Sequence, residues 1–150
     1  MDKRPAIILD LDGTLTDNSH RAHLKPCSTQ GEFNNYNSRM GDDAINEWCK
    51  ELRTQFAINY DILIVTARPI KYRDMTDIWL NDNMVFYKKL FMRPIGDHRT
   101  DDLVKSDLVR REILPYYKIL FAVENQKNVA AKYREMGIVT LLCEDNDDTF

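Results

Sequence analysis

Pro-Ala-Ile-Ile-Leu-Asp-Leu-Asp-Gly-Thr, the stretch from residue 5 to residue 14, decides the fold of this chain. A short apolar run of this kind is typical of a strand that is buried on both faces of a parallel sheet. Asp10 and Asp12 follow at the carboxyl end of that strand, and ligands of open parallel sheets bind outside this edge. Gly13 permits a turn directly after them. The further oxygen ligands of a calcium-binding loop are missing beyond Leu15.

The rest of the chain alternates apolar strand patterns with helical periodicity, which predicts a three-layer, Rossmann-like α/β fold with a central parallel sheet. Further strands are expected over residues 61–66, 90–93, 118–123 and 138–143. Helices are expected over residues 42–56, 72–80, 101–114 and 126–136. The first of these helices would be capped by Asp42 and Asp43 and would carry Trp48 into the core.

The polar stretch from about residue 16 to residue 41 interrupts this alternation. It contains Pro26, Gly31 and several asparagines, and it shows no apolar period. Long irregular segments are uncommon in compact domains and are often functional, although a plain flexible connector is the alternative. We interpret residues 1–150 as one domain in which this insertion forms a minimal cap.

Composition narrows the class of protein. The hydrophobic fraction of 43% and the charged fraction of 30% are ordinary for a globular protein. No run approaches the roughly 20 apolar residues that span a bilayer, so we expect no membrane partner and a cytoplasmic location. Three cysteines without a C-x-x-C pair favour neither a disulfide framework nor a zinc site. The net charge of −3 argues against an extended contact with nucleic acid.

Four short motifs resemble those of the haloacid dehalogenase-type phosphohydrolases. Asp-Leu-Asp-Gly-Thr-Leu-Thr, residues 10–16, resembles the first motif of that family. The remaining three follow in the family's order, and they are Thr66 with Ala67 and Arg68, Lys105, and Glu124 with Asn125. The resemblance extends over nearly the whole chain.

The resemblance is more specific to the 3′-phosphatase domain of phage-type polynucleotide kinase-phosphatases. Arg21 lies eleven residues beyond Asp10, Arg68 follows the second motif, and Gly96 to Lys105 reads Gly-Asp-His-Arg-Thr-Asp-Asp-Leu-Val-Lys. No G-x-x-x-x-G-K-[ST] loop occurs, so this sequence carries no P-loop kinase half and would be a stand-alone phosphatase.

The resemblance implies a role for each of these side chains. Asp10 would be the nucleophile and Asp12 the general acid and base, while Thr66 and Lys105 would stabilise the phosphoryl group. Arg21, Arg68 and Asp101 would bind or orient the substrate. Mg²⁺ would be held by Asp10, Asp12, Glu124 and Asn125. The chain departs from the subgroup at the last two positions, where two aspartates are usual, and this bears on metal affinity.

The expected activity is therefore a magnesium-dependent phosphomonoesterase that acts through an aspartyl-phosphate. Its expected substrate is a 3′-phosphate at a nucleic-acid end or on a nucleotide. One alternative is a phosphatase for free 5′-nucleotides or other small phosphometabolites. An alternative of another class is a non-catalytic module that binds phosphorylated ends. The sequence determines neither the oligomeric state nor the preferred sugar position.

Overall fold

A computed structural model describes residues 2–25 and 27–146, the last three of them as backbone. Its centre is a five-stranded parallel sheet in the order β5-β4-β1-β6-β7. The strands of this sheet are β1 (Arg4–Leu9), β4 (Asp61–Pro69), β5 (Lys89–Arg93), β6 (Tyr117–Gln126) and β7 (Thr140–Asn146). Two short strands, β2 (Thr16–Asp17) and β3 (Ala44–Ile45), form a separate antiparallel pair.

Helices cover both faces of the sheet. They are α2 (Glu47–Phe56), α3 (Arg73–Asp82), α4 (Asp101–Leu108), which continues as a π-helical turn over Val109–Ile113, and α5 (Lys127–Glu135). The remaining helix, α1 (Gln30–Ser38), lies in the insertion between β2 and β3. Side chains of α2 and α3 pack into one apolar cluster and those of α4 and α5 into the other. The predicted three-layer α/β fold is confirmed.

The central strand β1 explains why its sequence is an unbroken apolar run. Ile7 and Leu9 are fully buried on the side of α2 and α3, whereas Ala6 and Ile8 are buried on the side of α4 and α5. Both faces of β1 therefore require apolar side chains, as in other sheets that are covered on both sides. This burial fixes the position of the polar residues that follow Leu9.

The insertion is longer and more ordered than the sequence predicted. It extends from Thr16 to Ile45. The pairing of β2 with β3 brings its two ends together. It contains α1, whose Thr29 cap accepts a hydrogen bond from the backbone N–H of Glu32 at 3.1 Å. No apolar period indicated α1, because Tyr36 is its one buried side chain.

Two other expectations are wrong in detail. The first long helix begins at Glu47 with Asn46 at its cap, so Asp42 and Asp43 are not caps. Trp48 is 46% exposed rather than part of the core. The final strand continues to Asn146, and residues 147–150 lie outside the described part. Within the described residues, no helix has the length and apolar character needed to cross a membrane.

Candidate active site

Asp10 follows the carboxyl end of β1, which is the central strand of the sheet. Its backbone N–H donates to the carbonyl of Val123 on β6 at 3.1 Å, and its side chain is 3% exposed. Lys105 Nζ donates to Asp10 Oδ1 at 2.6 Å, and Thr14 Oγ1 donates to Asp10 Oδ2 at 2.8 Å. The carboxylate is therefore held in place through both of its oxygens.

The turn after Asp10 depends on Gly13. Gly13 has a φ of +80°, a backbone conformation that favours glycine. A Cβ atom at this position would also lie 2.2 Å from Asn125 Nδ2. The absence of a side chain thus lets the Asp10–Gly13 turn lie directly against the end of β6.

Lys105 links Asp10 to Glu124. Its Nζ donates to Glu124 Oε2 at 2.9 Å, while Glu124 Oε1 accepts the backbone N–H groups of Asn125 and Gln126 at 3.1 and 3.2 Å. Burial lowers the pKa of Lys105, but the two carboxylates raise it well above its usual value, so Lys105 stays charged. Burial and the charge of Asp10 raise the pKa of Glu124 to about 8, against the opposing effect of Lys105.

A second cluster surrounds Asp12. Arg21 Nη2 donates to Asp12 Oδ1 at 2.5 Å, and Arg68 donates to the same carboxylate from Nη2 at 2.8 Å and from Nε at 3.0 Å. Burial raises the pKa of Asp12, but the two guanidinium groups outweigh it and hold that pKa well below the usual range. Asp12 is therefore a carboxylate in this arrangement.

Asp43 is a buried acidic residue that contacts both arginines, and the sequence did not predict this role. Its carboxylate accepts Arg21 Nε at 2.9 Å and Arg21 Nη2 at 2.8 Å, and Arg68 Nη2 lies 3.4 Å from Asp43 Oδ2. His20 Nε2 lies 2.7 Å from Asp43 Oδ1, and Trp79 Nε1 donates to the Asp43 carbonyl at 2.8 Å. The pattern around it suggested a helix cap, and no local signal marks a residue that is buried against two distant arginines.

The proposed substrate-binding arginines are buried and contact acidic side chains. Arg21 is 0% exposed, and its guanidinium stacks over the Tyr36 ring with 4.4 Å between Cζ and the ring centroid. Arg68 is 3% exposed and also donates to Thr76 Oγ1 at 3.0 Å. Arg21 Nη1 is buried and has no hydrogen-bond partner among the described residues. Among the nitrogens of the two guanidinium groups, it is the one without a partner in the described part of the chain.

Thr66 and Asp101 complete the predicted set. Thr66 is buried within β4, three residues before its end at Pro69, and its Oγ1 accepts the backbone N–H of Arg68 at 3.2 Å. Its hydroxyl hydrogen has no acceptor among the described residues. Asp101 is the first residue of α4, with Thr100 rather than Asp101 at the cap. Its carboxylate accepts Arg93 Nη2 at 2.7 Å and Gln126 Nε2 at 3.3 Å. Burial raises the pKa of Asp101.

Oxygen donors for a metal ion are present near Asp10, although they are not all acidic. The described residues contain no group of three or more His, Cys, Asp and Glu side chains arranged to hold a metal. Asn125 Oδ1, however, is buried without a partner among the described residues, next to the Gly13 turn. Mg²⁺ accepts mixed sites of carboxylate and amide oxygens completed by water. Asp10 and Asn125 therefore fit such an ion.

Comparisons with known proteins identify the family of the chain and structures with a similar fold. The family model of the polynucleotide kinase PNKP phosphatase domain matches residues 4–148. Two solved structures of the Pnkp1/Rnl/Hen1 RNA repair complex superimpose with a TM-score of 0.84, at 24% and 23% identity over 97% and 99% of this chain. This chain spans 48% and 46% of those chains, about half their length. A haloacid dehalogenase-like hydrolase from Streptococcus pneumoniae superimposes with a TM-score of 0.67 at 15% identity, over 93% of this chain and 84% of its own.

Proposed function

Because the chain belongs to the family of polynucleotide kinase PNKP phosphatase domains, and is thus a phosphoric monoester hydrolase of the haloacid dehalogenase type, we propose that it removes 3′-phosphate from nucleic-acid ends or nucleotides. The reaction would pass through an aspartyl-phosphate on Asp10. The observation that carries this proposal is the pairing of a buried Asp10 with Lys105 beside the separate cluster of Asp12 and two arginines.

In the first step, an oxygen of Asp10 attacks phosphorus and the bond from phosphorus to the sugar oxygen breaks. Asp12 supplies the proton that the leaving oxygen needs. In the second step, water attacks the phosphorus of the aspartyl-phosphate, Asp12 takes the proton from that water, and the bond to Asp10 breaks to release inorganic phosphate. The carboxylate of Asp10 is restored.

A phosphate dianion repels an attacking carboxylate, so positive charge and hydrogen-bond donors have to be arranged in advance. Lys105 carries a buried positive charge 2.6 Å from Asp10 Oδ1. The Thr66 hydroxyl lies on the neighbouring strand β4, two residues beyond the partner of Leu9, and its hydrogen would donate to a phosphoryl oxygen. Both groups are fixed by the fold, so little reorganisation is required when the substrate binds.

The acid step requires a change at Asp12. The two arginines hold its pKa well below the usual range, and a carboxylate has no proton to give. A phosphate dianion that binds between Arg21 and Arg68 would compete for their N–H groups and weaken their hold on Asp12. The pKa of Asp12 would then rise, so the substrate itself would prepare the general acid. The unpartnered Nη1 of Arg21 supports this exchange of contacts.

The donors at the end of β1 and β6 fit Mg²⁺, and Asp10, Asp12 and Asn125 are the residues that would hold it. When bound, Mg²⁺ supplies positive charge that offsets the charge of the phosphate. Glu124 accepts three hydrogen bonds, from Lys105 and from two backbone N–H groups, whereas Asn125 Oδ1 is buried without a partner among the described residues. We infer that Glu124 holds Lys105 in position while Asn125 provides the direct oxygen.

Asn125→Ala is expected to weaken Mg²⁺ binding by at least about tenfold, because it removes the amide oxygen that would bind the ion. Isothermal titration of the protein with Mg²⁺ measures this directly, without any turnover. Asn59→Ala, which removes an exposed amide before β4 at the opposite edge of the sheet, is the matched control and should leave the affinity unchanged. Equal affinities in the two variants would contradict the role of Asn125.

The preference for a polynucleotide or nucleotide 3′-phosphate rests on family membership and on the shape of the insertion. The insertion packs on α3, where Met40 Sδ contacts Thr76 Oγ1 at 3.9 Å, and on the turn before α3, where Lys71 Nζ donates to Asn34 Oδ1 at 3.1 Å. It is a small cap held to one side, which suits a phosphate at the end of a chain. The net charge of −3 favours contact with only a few phosphates.

A panel of phosphomonoesters with Mg²⁺ tests this substrate class. A 3′-phosphorylated oligonucleotide or a 3′-mononucleotide should show a higher kcat/KM than a 5′-mononucleotide or glucose phosphate. Binding to the single strand should weaken only gently with salt, with a log–log slope shallower than about −3, since each neutralised phosphate adds about −0.7. If 3′-phosphates are hydrolysed no faster than the other two, the polynucleotide proposal is wrong and the small-nucleotide alternative replaces it.

A further inference from the structure

An exposed apolar rim lies at the carboxyl ends of the strands, the same end of the sheet as Asp10. Its members are Ile70, which follows β4, and Pro94 and Ile95, which follow β5. Ile95 is 91% exposed and Ile70 is 37% exposed. Because Pro69 of β4 pairs with Arg93 of β5, the two segments of this apolar rim leave the sheet side by side.

The loop that carries Ile95 is held by a dense set of polar contacts. Arg93 donates from Nε to the carbonyl of Ala67 at 2.9 Å, and from Nη1 to the carbonyls of Asp97 and Arg99 at 3.1 and 2.6 Å. Its Nη2 donates to Asp101 at 2.7 Å. The exposed isoleucine is therefore presented by an ordered loop that is tied to the strand carrying Thr66 and Arg68.

The distance from the apolar rim to Asp10 is short enough for one terminal nucleotide to contact both. The strands β1, β4 and β5 are consecutive in the sheet, so β1 and β5 are about 10 Å apart sideways at the usual strand spacing. Leu9 is level with Leu90 through Ile64, so Arg93 at the end of β5 lies three residues, about 10 Å, further along the strand direction. The ends of β1 and β5 are therefore about 14 Å apart. A terminal nucleotide whose phosphate lies at Asp10 can therefore reach the apolar rim with its base. The exposed cations Lys71 and Arg73 lie one and three residues after Ile70 and complement the charge of a phosphorylated strand.

We propose that the apolar rim of Ile70, Pro94 and Ile95 receives the terminal nucleobase of the substrate, with Ile95 as its main contact. This inference rests on the proposed function. Aliphatic and proline side chains pack against the faces of bases in other nucleic-acid-binding proteins. Every base has such a face, so this contact would raise affinity for a base-bearing end without selecting a sequence.

Ile95→Ala tests the proposal on two matched substrates, a 3′-phosphorylated oligonucleotide with a normal terminal nucleotide and the same strand with an abasic terminal residue. The parent should prefer the normal strand. Ile95→Ala should lower kcat/KM for that strand by about fivefold, the lower end of the effect of base-stacking contacts. It should leave the abasic strand unchanged. A 3′-mononucleotide should lose as much as the normal strand, which separates a base contact from a contact with the rest of the polymer.

Ile58→Ala is the matched control, because Ile58 is 78% exposed but lies before β4, at the opposite edge of the sheet. It should change neither substrate. An Ile95→Ala variant that matches the parent on the normal strand would overturn the proposal, and so would an equal loss on both strands, which would indicate a protein-partner surface or a general effect. If the parent fails to hydrolyse 3′-phosphates but hydrolyses other esters, the proposed function fails as well, and the two failures are thus distinguishable.

Discussion

Asp10→Asn is expected to lower turnover by at least about a thousandfold, as loss of a covalent nucleophile does in other enzymes. The asparagine side chain has nearly the same shape as aspartate, but its amide does not attack phosphorus. Oδ1 of the new side chain can still accept from Lys105, which also keeps its contact with Glu124. The defect should therefore be confined to the chemistry.

The folded state of Asp10→Asn should be as stable as that of the parent, because the variant removes one of two buried carboxylates that share a single lysine. Loss of the Asp10 charge should also lower the pKa of Glu124, since that charge contributes to raising it to about 8. Turnover and thermal unfolding are measured side by side. Asp61→Asn, whose carboxylate pairs with Arg4 at the opposite end of the sheet, is the control and should retain full activity. Activity above about a thousandth of the parent in a stably folded Asp10→Asn protein would refute the covalent mechanism.

The sequence was sufficient to predict the parallel sheet and the meeting of Asp10 with Lys105. Buried strands such as β1 require apolar residues on both faces, so their positions are visible as runs. Asp10 and Lys105 are ninety-five positions apart but belong to motifs with a known order, and the structure brings them to 2.6 Å. The sequence also predicted the turn at Gly13, because a positive φ favours glycine at that position.

The second cluster could not be derived in the same way. Arg21 lies in a polar segment, where exposure is the usual outcome, yet Tyr36 and Asp43 bury it completely. Asp43 stood at the start of a helical period and resembled a cap, although the helix starts only at Glu47. Burial of a charged residue depends on partners that are distant in sequence. The hydrophobic periodicity of the local segment contains no information about those partners.

Asp43→Asn is expected to destabilise the protein by about 3–5 kcal/mol, the usual effect of removing one partner of a buried ion pair. Asp43 is 6% exposed and accepts hydrogen bonds from both Arg21 and Arg68. An asparagine has one acceptor oxygen in place of two, and its NH₂ group would face guanidinium N–H groups that are also donors. Two buried cations would then share Asp12 as their remaining carboxylate.

The same substitution should lower kcat by about a hundredfold, because misplaced guanidinium groups no longer hold Asp12 and the phosphate in register. Denaturant unfolding gives the stability, and turnover is measured at a temperature where circular dichroism shows the variant to be folded. Asp42→Asn changes the neighbouring, exposed aspartate in the same way and should alter neither quantity. Asp43→Glu keeps the charge and should recover part of the stability, with activity limited by the longer reach of the side chain. An Asp43→Asn protein with the stability and turnover of the parent would show that the two arginines are held in place without Asp43.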